Sequence, residues 1–119
     1  MSKTTVVIPN YNGIKYIDDC LASLYQGSAV PEIIVVDNGS TDGSLSLVRE
    51  KYGRVQVISF NENTGFSKAV NAGIRAAQTE YVLLLNNDTI ADRYMVEELE
   101  KAVERDGIAF SAGAKMINL

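Results

Sequence analysis

Residues 32–43 run Glu32-Ile33-Ile34-Val35-Val36 and then Asp37-Asn38-Gly39-Ser40-Thr41-Asp42-Gly43. The opening stretch is nearly continuous in β-branched residues, without polar alternation, which suits a strand buried on both faces of a parallel sheet. Its second half is Asp, Asn, Gly, Ser and Thr, the residue types that end a strand and turn the chain. The same pairing repeats outward in both directions. Strands are predicted at Thr4-Thr5-Val6-Val7-Ile8, Val55-Gln56-Val57-Ile58-Ser59, Tyr81-Val82-Leu83-Leu84-Leu85 and Ile108-Ala109-Phe110-Ser111-Ala112. With Glu32–Val36 included, their first residues lie 28, 23, 26 and 27 positions apart. Each interval has room for one helix. The predicted fold class is therefore α/β, a doubly wound, mainly parallel sheet with helices on both faces and right-handed crossovers.

Each gap carries a helical pattern. Ile14, Ile17, Leu21 and Leu24 share one face of the first, with Asn12 as its expected cap and Asp18 and Asp19 near its positive end. Cys20 falls on that buried face and reads as core. Asp42 to Tyr52 forms the second, turned inward through Leu45, Val48 and Tyr52. Phe66, Ala69, Val70, Gly73, Ile74 and Ala77 mark the third, whose small residues imply close packing on the sheet. Met95, Val96, Leu99, Ala102 and Val103 mark the fourth, which stops at Asp106-Gly107.

Composition narrows the function classes. The 119 residues make one domain, 46% apolar and 22% charged, which excludes a disordered, collagenous or coiled-coil chain. The longest fully apolar run is the five residues Tyr81–Leu85, far short of the ~20 that span a bilayer. The first residues enter an apolar strand without a signal-peptide core, and the single cysteine suits a reducing compartment, so a cytoplasmic location is expected. With no histidine, Ser-His-Asp triads and His-ligated zinc are excluded. Eleven basic residues against fifteen acidic give a net charge of −4, which argues against nucleic acid as a partner.

In doubly wound sheets ligands bind beyond the carboxyl ends of the strands, where strand order reverses. Five segments belong there: Pro9–Gly13, Asp37–Gly43, Asn61–Gly65, Asn86–Asp92 and Gly113–Asn118. The first four are dense in Asn, Asp, Ser, Thr and Gly. Turn and cap chemistry accounts for any one of them; four on one rim favour a site. Neither GxGxxG nor GxxxxGK[ST] is present, so a Rossmann dinucleotide site or a P-loop is unsupported. Lys68 is the one basic residue in the middle of this rim. A phosphate-bearing ligand would need backbone N–H groups, helix N-termini or a metal. Asp88, flanked by Asn86 and Asn87, offers hard oxygen ligands for Mg²⁺ or Mn²⁺. The alternative is that Asp88 only caps the turn before Thr89.

Together these segments resemble family 2 glycosyltransferases. Val6-Val7-Ile8-Pro9-Asn10-Tyr11-Asn12-Gly13 is similar to the family's opening strand and loop, and Ile34 to Gly43 to its second signature. Asn63-Thr64-Gly65-Phe66 with Asn71-Ala72-Gly73-Ile74 is similar to the third, and Leu83-Leu84-Leu85-Asn86-Asn87-Asp88 to the metal-binding acidic motif. The forms Asn86-Asn87-Asp88 and Asn63-Thr64-Gly65-Phe66 look most like a rhamnosyltransferase-type branch.

The resemblance implies a GT-A fold, a UDP- or dTDP-sugar donor, transfer with inversion and a saccharide or lipid-linked acceptor. It implies that Pro9 and Tyr11 line the base and ribose pocket, beside Asn10 and Asn38, and that Asp37 accepts from the pyrimidine N–H. The Asn63–Gly65 loop would close over the nucleoside, and Lys68, Asn71 and Asn87 would also bind the nucleotide. Asp88 would hold a divalent cation, Mn or Mg, near Asn86 and Asn87.

This chain departs from the pattern in three ways. Asn86-Asn87-Asp88 has one carboxylate fewer than Asp-x-Asp, and Val70 stands where many members carry Arg. Family domains run to roughly twice this length and hold the acceptor site and base in their second half. Residues 1–119 are thus expected to be the donor half of a glycosyltransferase domain, inactive alone, with no residue assigned as base. A longer protein would bring any membrane association. A non-catalytic nucleotide-binding or partner-association module is the alternative. Self-association is expected through exposed apolar surface near Ile108 to Leu119, where Met116, Ile117 and Leu119 are apolar residues at a chain end.

Overall fold

A computed structural model describes residues 2–111 and 114–119. The elements run in the order β1 (Thr4–Asn10), α1 (Ile17–Tyr25), β2 (Glu32–Asp37), α2 (Ser44–Lys51), β3 (Gln56–Ser59), α3 (Phe66–Ala76), β4 (Tyr81–Leu85), α4 (Met95–Asp106), β5 (Ile108–Ser111) and β6 (Ala114–Asn118). They build one six-stranded sheet in the order β3-β2-β1-β4-β6-β5. β1, β2, β3 and β4 run parallel, while β6 is antiparallel to both β4 and β5.

Continuous apolar runs make sense in this sheet because its central strands are covered on both faces. Val6 and Ile8 of β1 join Ile33 and Val35 of β2 and Leu83 and Leu85 of β4 beneath α1, α2 and α4. Val7, Ile34, Val36 and Val82 point the other way, toward Ala69 of α3. The core positions of α1 (Ile17, Cys20, Leu21, Leu24) and of α4 (Met95, Val96, Leu99, Val103) fall at helical spacing, as the sequence predicts.

Several boundaries differ from expectation. Asn12 does not cap α1. It sits at φ 50°, and a turn closed by Tyr16 and Ile17 N–H on the Gly13 carbonyl delays the helix to Ile17. Ile14 is consequently exposed. α2 opens at Ser44, two residues after Asp42, whose Oδ1 accepts from Ser44 N at 3.0 Å. The largest difference is β6. Residues 114–118 form an inner strand of the sheet, with Met116 fully buried, in place of the expected rim loop and exposed apolar surface. Alternation of Ala114 and Met116 with Lys115 and Ile117 is enough for a strand one of whose faces is covered by α4. Of the apolar surface expected to be exposed near Ile108 to Leu119, Met116 is buried, while Ile108, Phe110 and Leu119 are exposed. Ala112 and Gly113, the expected end of the fifth strand and start of the fifth rim segment, lie outside the described residues.

α3 lies close on the sheet. A Cβ placed on Gly73 would stand 2.3 Å from Cγ1 of Val7, a fully buried side chain. Gly73→Ala should therefore destabilise the fold by roughly 1–2 kcal/mol in urea unfolding, because overpacking outweighs the ~1 kcal/mol gain in helix propensity. Gly53→Ala, where a Cβ meets nothing within 4 Å, is the control and should shift stability little.

Cys20 is fully buried in α1, and burial, reinforced by the negative charge of Asp88, pushes its thiol up to about 12. At pH 8 about one thiol in 10⁴ is then ionised, so alkylation by iodoacetamide should wait on unfolding. Rapid labelling of the native protein at the rate of a free thiol would contradict that environment.

Candidate functional site

The strand order reverses between β1 and its two parallel neighbours, β2 on one side and β4 on the other. The chain builds β2 and β3 outward from one flank of β1, then crosses to place β4 on the other. This geometry opens a crevice at the carboxyl ends of β1 and β4. A cavity of about 350 Å³ lies there, lined by Pro9, Asn10, Tyr11, Asn38, Asn63, Phe66, Asn86, Asn87 and Asp88. Larger cavities, about 580 and 480 Å³, open at the amino ends of the strands, against Glu32, Ile33 and Arg54. They lack the Asn- and Asp-rich loops, and the topology favours the smaller one.

The crevice is held by side chains that bond across loops. Asn10 is 1% exposed. Its Nδ2 donates to Asp37 Oδ1 and to Ser44 Oγ, each at 3.0 Å, and its Oδ1 accepts from Asn87 Nδ2 at 2.9 Å. One amide thereby joins β1, β2, α2 and the loop after β4. Asn38 does the same for the loop after β3. Its Oδ1 accepts from Thr64 N at 2.8 Å, and its Nδ2 donates to the Gly65 carbonyl at 3.1 Å. Ser40 Oγ takes Asn12 N at 2.9 Å, Asn12 Oδ1 takes Thr41 N at 2.8 Å, and Asp42 Oδ2 takes Ile14 N at 3.0 Å. Among the described residues no buried side-chain nitrogen or oxygen lacks a partner.

Glycine makes the loops fit. Gly39 has φ 84°, and a Cβ there would lie 2.7 Å from the Glu62 carbonyl carbon, so the second and third loops touch backbone to backbone. A Cβ on Gly13 would fall 2.2 Å from Asn10 Oδ1 and 2.3 Å from Asn87 Nδ2, on top of the bond between those two amides.

Of the residues singled out in the sequence, Pro9, Asn10, Tyr11, Asn38, Asn63, Asn87 and Asp88 meet around this one cavity. Asp37 lies beneath it rather than on its wall. The carboxylate is 1% exposed, with Oδ1 on Asn10 and Oδ2 accepting Ser40 N at 3.0 Å, so in this conformation it faces protein donors and not a ligand. Gly65 serves through its backbone, its N–H on Asn63 Oδ1 at 2.9 Å. Lys68 and Asn71 do not line the cavity. α3 turns Ala69, Val70 and Gly73 to the sheet, which carries positions 68 and 71 out to solvent. Phe66, 64% exposed, stands in the wall, although its place in the sequence pattern marks only a core position of α3. Ser44, fully buried, is the other residue that the sequence does not single out; its hydroxyl links Asn10 to Asp42, and a serine two residues past an Asp signals only a helix start.

The walls combine two exposed aromatic rings, Tyr11 and Phe66, with amides and one carboxylate. This suits a ligand with a flat ring and several polar groups. Asp88 is exposed at the mouth. Ahead of α4, Asp92 Oδ2 accepts Tyr94 N at 3.1 Å, and the helix itself opens without a side-chain cap. One carboxylate beside the amide oxygens of Asn86 and Asn87 is a hard donor set that fits Mg²⁺ or Mn²⁺. Among the described residues no cluster of three or more acidic, Cys or His side chains is present, and no helix is long and apolar enough to cross a membrane.

Comparison with known proteins agrees with this geometry. Residues 5–117 match the family model described as glycosyl transferase family 2. The chain is 36% identical over 107 residues to the glycosyltransferase GlyG of Streptococcus pneumoniae, covering 84% of this chain and 35% of GlyG. It is 32% identical over 114 residues to the teichoic acid poly(glycerol phosphate) polymerase of Staphylococcus epidermidis, covering 91% of this chain and 16% of that protein. Among solved structures, residues 1–349 of S. aureus TarS superpose with a TM-score of 0.79 at 26% identity, over 91% of this chain and 34% of that fragment. The mannosyltransferase PcManGT from Pyrobaculum calidifontis superposes with a TM-score of 0.87 at 21% identity, over 98% of this chain and 44% of its own. The chain thus spans less than half the length of each of these proteins. By its sequence match and its GT-A architecture, the chain belongs to glycosyl transferase family 2.

Proposed function

We propose that this chain binds the nucleoside diphosphate of a sugar donor in the crevice between β1 and β4, as the donor half of an inverting glycosyltransferase. The observation that carries the reading is Asp88 at the end of β4, in one cavity with Tyr11 at the end of β1. TarS, similar in fold and sequence, was solved with UDP and with UDP-GlcNAc, which supports a uridine nucleotide for this site.

In this reading Tyr11 stacks on the base, and Pro9 and Asn63 close the pocket around base and ribose. Asn38 holds the Asn63–Gly65 loop in place through Thr64 and Gly65. Asp37 acts indirectly. It fixes the Asn10 amide, and Asn10 in turn fixes Asn87 beside Asp88. Asp88, with Asn86 and Asn87, would hold a divalent cation, which supplies charge neutralisation for the diphosphate as it leaves. Activation of the acceptor, saccharide or lipid-linked, is assigned to no residue of this chain.

Titration calorimetry with UDP, dTDP and GDP, with and without Mn²⁺, tests the reading. Binding of at least one nucleotide is expected, and binding of none at millimolar concentration would favour a module that only associates with a partner. Asp88→Asn keeps the shape of the loop but removes the charge at the proposed cation. Mn²⁺-dependent affinity should then fall more than about tenfold, that is by over ~1.4 kcal/mol, while the metal-independent part survives. Equal Mn²⁺-dependent affinity in both proteins would remove Asp88 from the metal site.

A further inference from the structure

A second cavity, about 310 Å³, adjoins the first and shares three wall residues with it: Pro9, Phe66 and Asn86. Its remaining walls include Leu84 of β4 and Lys115 of β6. Register explains why these meet. Leu84 pairs with Lys115, and Lys115 with Phe110, so the three share one face of the sheet. Val82 and Ile117 form another such pair and belong to the cluster on the α3 face. Toward this edge that face is open, with Phe110 72% exposed. Lys115 Nζ stands 5.8 Å from the Phe110 ring centroid, over the ring.

The charge distribution of the two lobes is uneven. The first holds Asp88 and no basic residue. Among the described residues that line either lobe, Lys115 is the sole cation. Asn86, two positions before Asp88, stands in the wall common to both. A nucleoside seated by Tyr11 with its diphosphate at Asp88 therefore carries its phosphates to the junction where the second lobe begins.

We propose that the two cavities are one ligand site and that Lys115 contacts the phosphate end of the nucleoside diphosphate from the second lobe. This rests on the nucleotide reading above and adds a residue to it. An ammonium is a compact charge with three donors, suited to a phosphate oxygen. It complements a metal at Asp88 from another strand, approaching across the apolar surface of Leu84 and Phe66.

The test compares UDP with uridine, which has no phosphates, by calorimetry without Mn²⁺ on the full chain, in wild type, Lys115→Met and Lys115→Arg. Lys115 is exposed, so both variants should unfold at the wild-type urea midpoint. Lys115→Met should lower UDP affinity by about tenfold, the scale of a lost charge-assisted bond, and leave uridine affinity unchanged. Lys115→Arg should retain most of the preference for UDP. An unchanged ratio of UDP to uridine affinity in Lys115→Met overturns the role of Lys115 and leaves the nucleotide reading standing. Failure of the wild type to bind UDP and uridine alike, with Mn²⁺ as without it, overturns both.

Discussion

Everything at the candidate site leans on the side-chain amide of Asn10. It is buried at the carboxyl end of β1, where water cannot satisfy it, so its hydrogens and oxygen must be met by protein. They are met by groups from three other segments: Asp37 at the end of β2, Ser44 at the start of α2, and Asn87 after β4. Leaving a buried donor or acceptor unpaired costs about 1–3 kcal/mol, comparable to a large part of a domain's stability. The loops therefore find their mutual positions together. Through the Asn10 amide, Asp37 and Ser44 are thus linked to Asn87, the residue before Asp88.

That amide would have nothing to join without the sheet beneath it. Two-sided burial fixes the register of β1 against β2 and β4, since a slip by one residue would exchange the sets facing α1 and α3. Close approach of α3, permitted by Gly73, sets where its first residue, Phe66, stands relative to Pro9 and Asn86. The ion pairs contribute less. Lys3–Glu104 and Arg105–Asp106 are exposed pairs, screened by water and salt, and such pairs contribute little.

β1, β2, β4 and α3 were legible because a strand covered on both faces leaves a nearly unbroken apolar run, and a helix pressed on a sheet leaves small residues at helical spacing; β3, an edge strand interrupted by Gln56, was legible chiefly by its spacing. β6 was not. Ala114-Lys115-Met116-Ile117-Asn118 has one buried face, holds few β-branched residues, and sits too close to β5 for the strand–helix spacing that located the others. At the site, residue types were legible and partners were not. Asp and Asn at strand ends announce a polar rim, but sequence alone does not say which of them spend their hydrogen bonds on one another. Asp37 is bound inward by Asn10 and Ser40, while Asp88 is exposed. Lys68 is close to the rim in sequence, yet the buried stripe Ala69, Val70 and Gly73 determines its outward direction. Lys115 is distant in sequence and reaches a cavity wall through strand pairing alone.

Val70 bears on how the proposed donor would be neutralised. Many family members carry Arg at this position. Here the residue is 8% exposed and packs as part of the buried stripe of α3, so it lends no charge to the crevice. Asn86 and Asn87 also leave the acidic motif with one carboxylate. Relative to the family pattern this chain has one basic residue fewer on α3 and one carboxylate fewer on the loop after β4, differences of opposite sign that offset in net charge but not in position. A diphosphate would then meet positive charge only from the β4 side, through a cation at Asp88 and the ammonium of Lys115. The α3 side would meet it with the ring of Phe66, which can pack against a ligand but cannot offset its charge.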